Sequence, residues 1–213
     1  MDREIILIDS DYDQDTAVIT KSRVEVLYPK MSGTLVRLPK STRQYLVPTL
    51  SSRNIGFISG SGHGNENAFI GNDRYPIFEV GAYHGSEVSG KIIHFLACSS
   101  AFSLGMDLCK NGCIAFFGYD QLFVFIKDYT SEFVAADHAL DIAISEGKTA
   151  GAAHDEYMRA YQQTMNDLLR SGVSSSILGF LEGNMKNFCS PSRNACWGDE
   201  NASLSFESIA ASA

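Results

Sequence analysis

The chain has 213 residues, 45% of them hydrophobic and 20% charged, with a formal net charge of -8. That length and composition suit one α/β-sized domain with its own core and exclude wholesale disorder. The acidic balance excludes a nucleic-acid backbone as partner, because phosphate binding needs a concentrated positive face, and it argues against docking on an anionic membrane.

In chain order, the first element is the apolar run Glu4–Ile8, which has the β-branched content of a buried strand. It follows Met1-Asp2-Arg3 directly, so the N-terminus is not read as a signal peptide. No segment approaches the roughly 18 uninterrupted apolar residues of a membrane span. The five cysteines, at 98, 109, 113, 189 and 196, have no disulfide-framework spacing. Reduced thiols in a cytoplasmic protein are the expectation, with a Cys189–Cys196 bridge left open.

Alternate acids follow at Asp9, Asp11, Asp13 and Asp15. Solvated loop acids are the simplest reading. A strand followed by Asp-x-Asp also resembles the nucleophile loop of HAD-type phosphatases, which would make Asp9 and Asp11 the centre of a Mg²⁺ phosphohydrolase. Asp13 stands where that loop usually has threonine. A calcium loop fits less well, since Gln14 and Thr20 occupy the positions that need glycine and glutamate.

Val24–Tyr28 alternates apolar and polar residues and predicts a less buried edge strand. Asn54–Ser59, Lys91–Ala97 and Cys113–Gly118 are further buried strands, the last preceded by a short helix. All end in small or polar residues, as strands do in a central, mainly parallel sheet covered on both faces. Helical patterns occupy Ser131–Ser145 and Thr149–Ser171, the second closed by Gly172. Ser176–Leu181 predicts a last strand, and the Ser-, Ala- and Asn-rich tail from about Asn187 is expected to be partly loose. The organisation predicted is therefore a single domain over 1–186 and a tail over 187–213.

Two strand ends carry chemistry. One leads into Gly60-Ser61-Gly62-His63-Gly64, the other into Cys98-Ser99-Ser100-Ala101. In an open parallel sheet, ligands bind outside the carboxyl ends of the strands. Glycines around a histidine suit close backbone approach to a substrate better than packing. A thiol and an imidazole are the minimum for acyl transfer: the thiolate attacks the carbonyl and the histidine handles the proton. The backbone amides of Gly64 and Cys98 are the candidate oxyanion donors. Taken singly, Cys98 reads equally well as a packing thiol and His63 as a loop histidine; their adjacent strand ends favour the pair. His84 lies in an ordinary loop, and His94 is about 13 Å from Cys98 by strand rise, too far for proton transfer. His138 and His154 read as surface or packing residues on helices, and Cys109 and Cys113 as core thiols.

"Ile-Ser-Gly-Ser-Gly-His-Gly", followed by "His-Phe-Leu-Ala-Cys-Ser-Ser-Ala" with the cysteine 35 residues after His63 (98 minus 63), resembles the caspase–hemoglobinase clan of cysteine peptidases. That clan includes caspases, metacaspases, legumains, separases, gingipains, clostripain-like peptidases and the bacterial CHAT domains. Residues 111–120, ending in Gly-Tyr-Asp, are similar to the next strand of the bacterial members. The resemblance covers roughly residues 50–125, and the caspase pentapeptide around the nucleophile is absent. It implies a three-layer α-β-α sandwich and a cysteine endopeptidase using His63 and Cys98, with no metal or organic cofactor required for the chemistry. It further implies regulated proteolysis in bacterial defence or cell death, with a peptide or protein substrate and an activating protein partner. A homodimer is allowed by such a fold and not demanded by any residue.

In the clostripain-like and legumain-like branches, the residue two before the cysteine is often acidic and binds a charged or polar P1 side chain. Here it is Leu96, on the same strand face as Cys98. An uncharged, apolar P1 preference follows, with Asp120 the residue able to restore basic specificity. Tyr119 and the apolar run to Phe125 are expected to line the cleft or a dimer contact. The alternative from another class is a non-catalytic scaffold module that keeps the fold.

Overall fold

A computed structural model of the chain describes residues 3–204. A six-stranded, mainly parallel mixed sheet forms its centre. The strands are β1 (Glu4–Asp9), β2 (Leu35–Arg37), β3 (Ile55–Ser61), β7 (Ile92–Leu96), β8 (Ala115–Tyr119) and β9 (Phe188–Cys189), ordered β2-β1-β3-β7-β8-β9. All neighbours are parallel except β8 and β9. A small antiparallel sheet is built from β4 (Gly64–Asn65), β5 (Ala68–Ile70) and β6 (Pro76–Glu79).

The helices are α1 (Gln14–Ser22), α2 (Arg43–Ser52), α3 (Ser103–Lys110), α4 (Thr130–Asp137), α5 (Ala139–Ser145), α6 (Ala150–Arg170) and α7 (Ser175–Asn187). Strand alternation splits the core into two clusters. Ile5, Leu7, Phe57, Leu96 and Phe117 join Phe133, Leu140, Tyr157 and Leu181, whereas Ile6, Ile8, Ile58, Phe95 and Phe116 join Leu46, Leu104, Phe69 and Phe78. Strands buried on both faces explain the unbroken apolar runs in the sequence.

Two strand expectations are corrected. Arg23–Leu27 continues α1 as a wider helical turn and Tyr28–Lys30 as a tight one, so residues 24–28 form no edge strand. Arg23 and Leu27, four apart, are both buried, which is helical spacing. Ser176–Leu181 lies within α7, where Leu181 and Asn184 are buried and Ile177, Leu178 and Met185 pack on the core. The helix predicted over 131–145 breaks at His138, the junction of α4 and α5. Within the segment predicted to be loose, Phe188 is buried against Tyr157 with ring centroids 3.8 Å apart. Cys189 and Cys196 are free thiols. The remainder of that tail, 205–213, lies outside the described residues.

The topology fixes where a site can form. The chain leaves β1 toward β2 on one side and returns through β3 on the other, so the order reverses between β1 and β3. In register, Asp9 pairs with Ser61 and Ser61 with Leu96, which brings the carboxyl ends of β1, β3 and β7 to one edge. A crevice beside such a switch point is where α/β sheets bind ligands.

Candidate active site

Three loops meet at that edge. Asp13, after β1, caps α1: its carboxylate accepts from the Thr16 amide at 2.9 Å and from the Thr16 hydroxyl at 2.9 Å. Its other oxygen lies 2.7 Å from Nε2 of His63, which follows β3. Burial pushes the Asp13 carboxyl up, but the Thr16 amide, His63 and the Thr16 hydroxyl outweigh it and hold the carboxyl down to about 2. Asp13 is therefore a carboxylate at neutral pH. The Tyr12 ring packs against the imidazole with centroids 5.6 Å apart. With Nε2 engaged, Nδ1 is the nitrogen left for proton exchange.

Cys98 follows β7 and lines a cavity of about 150 Å³ together with His63, Gly62, Leu96, Phe123 and Phe125. Two larger hollows elsewhere, of about 610 and 540 Å³, contain no histidine. The smaller cavity is the one that joins a thiol and an imidazole. Burial pushes the Cys98 thiol up, partly offset by backbone hydrogen bonding at Phe123 and at Cys98 itself, and the sulfur lies 3.9 Å from the Phe123 carbonyl oxygen. Cys98 is thus a protonated thiol at neutral pH.

The backbone around Cys98 is tightly specified. Ser99 adopts a left-handed conformation, φ +53°, which costs a non-glycine residue about 1–3 kcal/mol. The Ser99 amide donates to the Gln121 carbonyl at 2.9 Å, and the Ser100 hydroxyl to the Ala97 carbonyl at 3.0 Å, fixing the turn. Gly64 explains the glycine after the histidine: a Cβ there would sit 2.7 Å from the Cys98 carbonyl oxygen and 2.9 Å from Ala97 Cβ. The Ile70 amide bonds the His63 carbonyl, so the next pair, Gly64 and Phe69, is a non-hydrogen-bonded one, and the Gly64 amide points away from β5.

His63, Cys98 and Leu96 line one cavity, with Gly64 against the Cys98 carbonyl. Tyr119 does not. It is fully buried, and its hydroxyl bonds Asp137 in the core, so its place in the cleft is corrected. Asp120 is not among the residues lining the cavity; its amide bonds the Asn187 carbonyl, and its carboxyl adds to burial in pushing the Cys189 thiol up. Phe123 and Phe125 take the lining position instead. His84 is an exposed loop residue bonded to Ser86.

In the sequence Asp13 is one loop acid among four, and only the fold sets it against His63. Its signal was the pattern Asp13-x-x-Thr16 opening a helix, an N-cap arrangement. The phosphohydrolase pair is not assembled: the Asp9 carboxylate is taken up by Arg23 at 2.8 Å, by the Tyr28 hydroxyl and by Arg37 at 3.6 Å, while Asp11 bonds Asn72. Compared with known proteins, the chain matches no family model and no curated sequence.

Proposed function

We propose that the protein is a cysteine endopeptidase of caspase-like, three-layer architecture, with Cys98 as nucleophile and His63 as general acid/base. The observation that carries this reading is the shared cavity of Cys98 and His63 at the switch point, with His63 oriented by an ionised Asp13.

The substrate carbonyl enters beside the neutral thiol. His63 Nδ1 takes the Cys98 proton as sulfur attacks the carbonyl carbon. The Asp13 carboxylate accepts from Nε2–H and stabilises the imidazolium that forms. The amides of Gly64 and Cys98 receive the developing oxyanion. The imidazolium then protonates the leaving amine as the C–N bond breaks. Water, deprotonated by His63, next attacks the thioester, and the thiol regains its proton. Leu96, Phe123 and Phe125 favour an uncharged, apolar P1 side chain; the acid at the mouth, Asp15, is paired with Lys127 at 3.5 Å.

One observation favours the second reading, a scaffold module: the half-buried thiol faces a backbone carbonyl. Cleavage of P1-varied fluorogenic peptides separates the two. The peptidase reading expects turnover on apolar P1 that vanishes in Cys98→Ala and His63→Ala. No turnover on any peptide, with or without cell extract as a source of activator, supports the scaffold. No described helix is long and apolar enough to cross a membrane.

A further inference from the structure

Beneath β7, on the face packed by α4 and α5, lies a polar cluster that the proposed chemistry does not use. His94, Asp137, His138 and Asp141 are all at most 1% exposed. The break between α4 and α5 turns Asp137 and His138 inward together. The cluster is braced from outside. Asp141 holds His94 Nδ1 at 2.8 Å and also bonds His138 Nδ1 and the Ser59 hydroxyl. Tyr119, backed by the hydroxyls of Tyr157 and Tyr161, holds one oxygen of Asp137.

These braces leave two fully buried atoms with no hydrogen-bond partner among the described residues, His94 Nε2 and Asp137 Oδ2. They face each other at 3.5 Å, and His138 Nδ1 lies 3.3 Å from the same oxygen. One ligand atom from each of His94, Asp137 and His138 falls within 4.8 Å of the other two. Those separations are long for hydrogen bonds. They match the edge of a coordination tetrahedron, which for metal–ligand bonds of about 2.0–2.2 Å is roughly 3.3–3.6 Å. A histidine whose second nitrogen is held by a carboxylate is the usual outer-shell arrangement of a zinc ligand.

We propose that His94 Nε2, Asp137 Oδ2 and His138 Nδ1 form a structural site for a divalent first-row transition metal, zinc by the borderline character of the donors. The inference is independent of the peptidase reading. The hydrogen bond between His138 Nδ1 and Asp141 Oδ2 must open when the metal takes that nitrogen. Asp137 and Asp141 are fully buried carboxylates, and Arg23, which is engaged with Asp9 at 2.8 Å, comes no nearer than 3.9 Å to Asp141. The competing occupant is a proton on His94. Burial lowers the basicity of that imidazole, but Asp141 and Asp137 more than reverse this, raising it to about 10. The metal displaces that proton. It also moves the His138 proton from Nδ1 to Nε2, which Arg23 Nη1 now approaches at 3.0 Å. Arg23 must release this contact, keeping Asp9 at 2.8 Å and the Ser59 hydroxyl at 3.0 Å.

The test uses the full chain with any affinity tag removed. Metal content is measured by mass spectrometry on wild type, His94→Gln and Asp137→Asn. The asparagine keeps an acceptor for Tyr119 while removing the ligand charge. The expected result is about one zinc per chain in wild type and at least a tenfold loss in both variants. Should either variant fail to fold, chelator-stripped wild type is titrated with Co²⁺. A tetrahedral visible band without a thiolate charge-transfer band, and a melting temperature raised by the metal, support the site. Stripped wild type indifferent to stoichiometric zinc and cobalt would overturn the proposal and leave a proton on His94. So would metal content unchanged in both variants, or thiolate bands, which place the metal on cysteines elsewhere.

Discussion

The Asp13 carboxylate lies 2.7 Å from His63 Nε2, tying the loop after the first strand to the loop after the third. The pair spans the point where the strand order reverses. It fixes the imidazole's orientation before any substrate arrives.

Asp13→Asn isolates the charge. Asparagine is as good an N-cap as aspartate, so the α1 cap survives and stability changes little. The account predicts a fall in kcat of about 10- to 100-fold with KM nearly unchanged, because orientation and stabilisation of the imidazolium are needed only as charge develops. Asp13→Ala adds the loss of the cap, about 1 kcal/mol of stability by denaturant melting. An unchanged kcat in Asp13→Asn contradicts the positioning role.

Gly64→Ala tests the close approach of β4 to the turn at Cys98. The added Cβ meets backbone and Ala97, neither of which can swing aside. A displacement of the Gly64 amide follows, with a destabilisation of about 1–3 kcal/mol and a fall in kcat/KM of roughly 100-fold, as for loss of one oxyanion donor. Kinetics on the folded fraction and a urea melt read the two effects separately.

On the peptidase reading, Leu96, Phe123 and Phe125, which line the cavity beside Cys98, set the P1 preference. Leu96→Asp on the cavity wall beside Cys98 is expected to move the preference toward Arg and Lys, read as a reversal of the kcat/KM ratio between apolar and basic P1 peptides. Fastest turnover on basic P1 in the wild type would place specificity with Asp15 and contradict the apolar pocket.

A pH dependence follows from His94 in chelator-treated protein. Its folded basicity is raised to about 10 from an ordinary value of 6.5, by Asp141 and Asp137 against the opposing effect of burial. A raised group contributes stability that is fully present below the unfolded value and lost as pH rises through the folded one. The urea midpoint should therefore decline between about pH 6.5 and 10 in wild type, and the decline should be smaller in His94→Gln. Identical profiles would mean that His94 is neutral in the fold.

How much of this the sequence discloses depends on the range of each interaction. Glu4–Asp9, Ile55–Ser61 and Ile92–Leu96 are legible because strands buried on both faces must be apolar throughout. His63 and Cys98 are legible because each closes such a strand beside small residues. Residues 24–28 and 176–181 mislead because a short apolar run fits either period, and tertiary burial of Arg23, Leu27 and Leu181 decides for helix. Tyr119 ends a strand as a cleft residue would, yet its hydroxyl is claimed by Asp137, eighteen residues on. Asp13 is one of four alternate acids, and only its partner fifty residues away distinguishes it.

The most direct measurement of the central claim is intact-mass spectrometry after exposure to a peptidyl acyloxymethyl ketone with an apolar P1 residue. Wild type, Cys98→Ala, His63→Ala and Asp13→Asn are compared, with the other four cysteines as internal control. The account predicts a single adduct on Cys98, absent in Cys98→Ala, nearly abolished in His63→Ala and slowed in Asp13→Asn. Labelling of Cys98 that is no faster than that of the other thiols, or that is indifferent to His63, would contradict it.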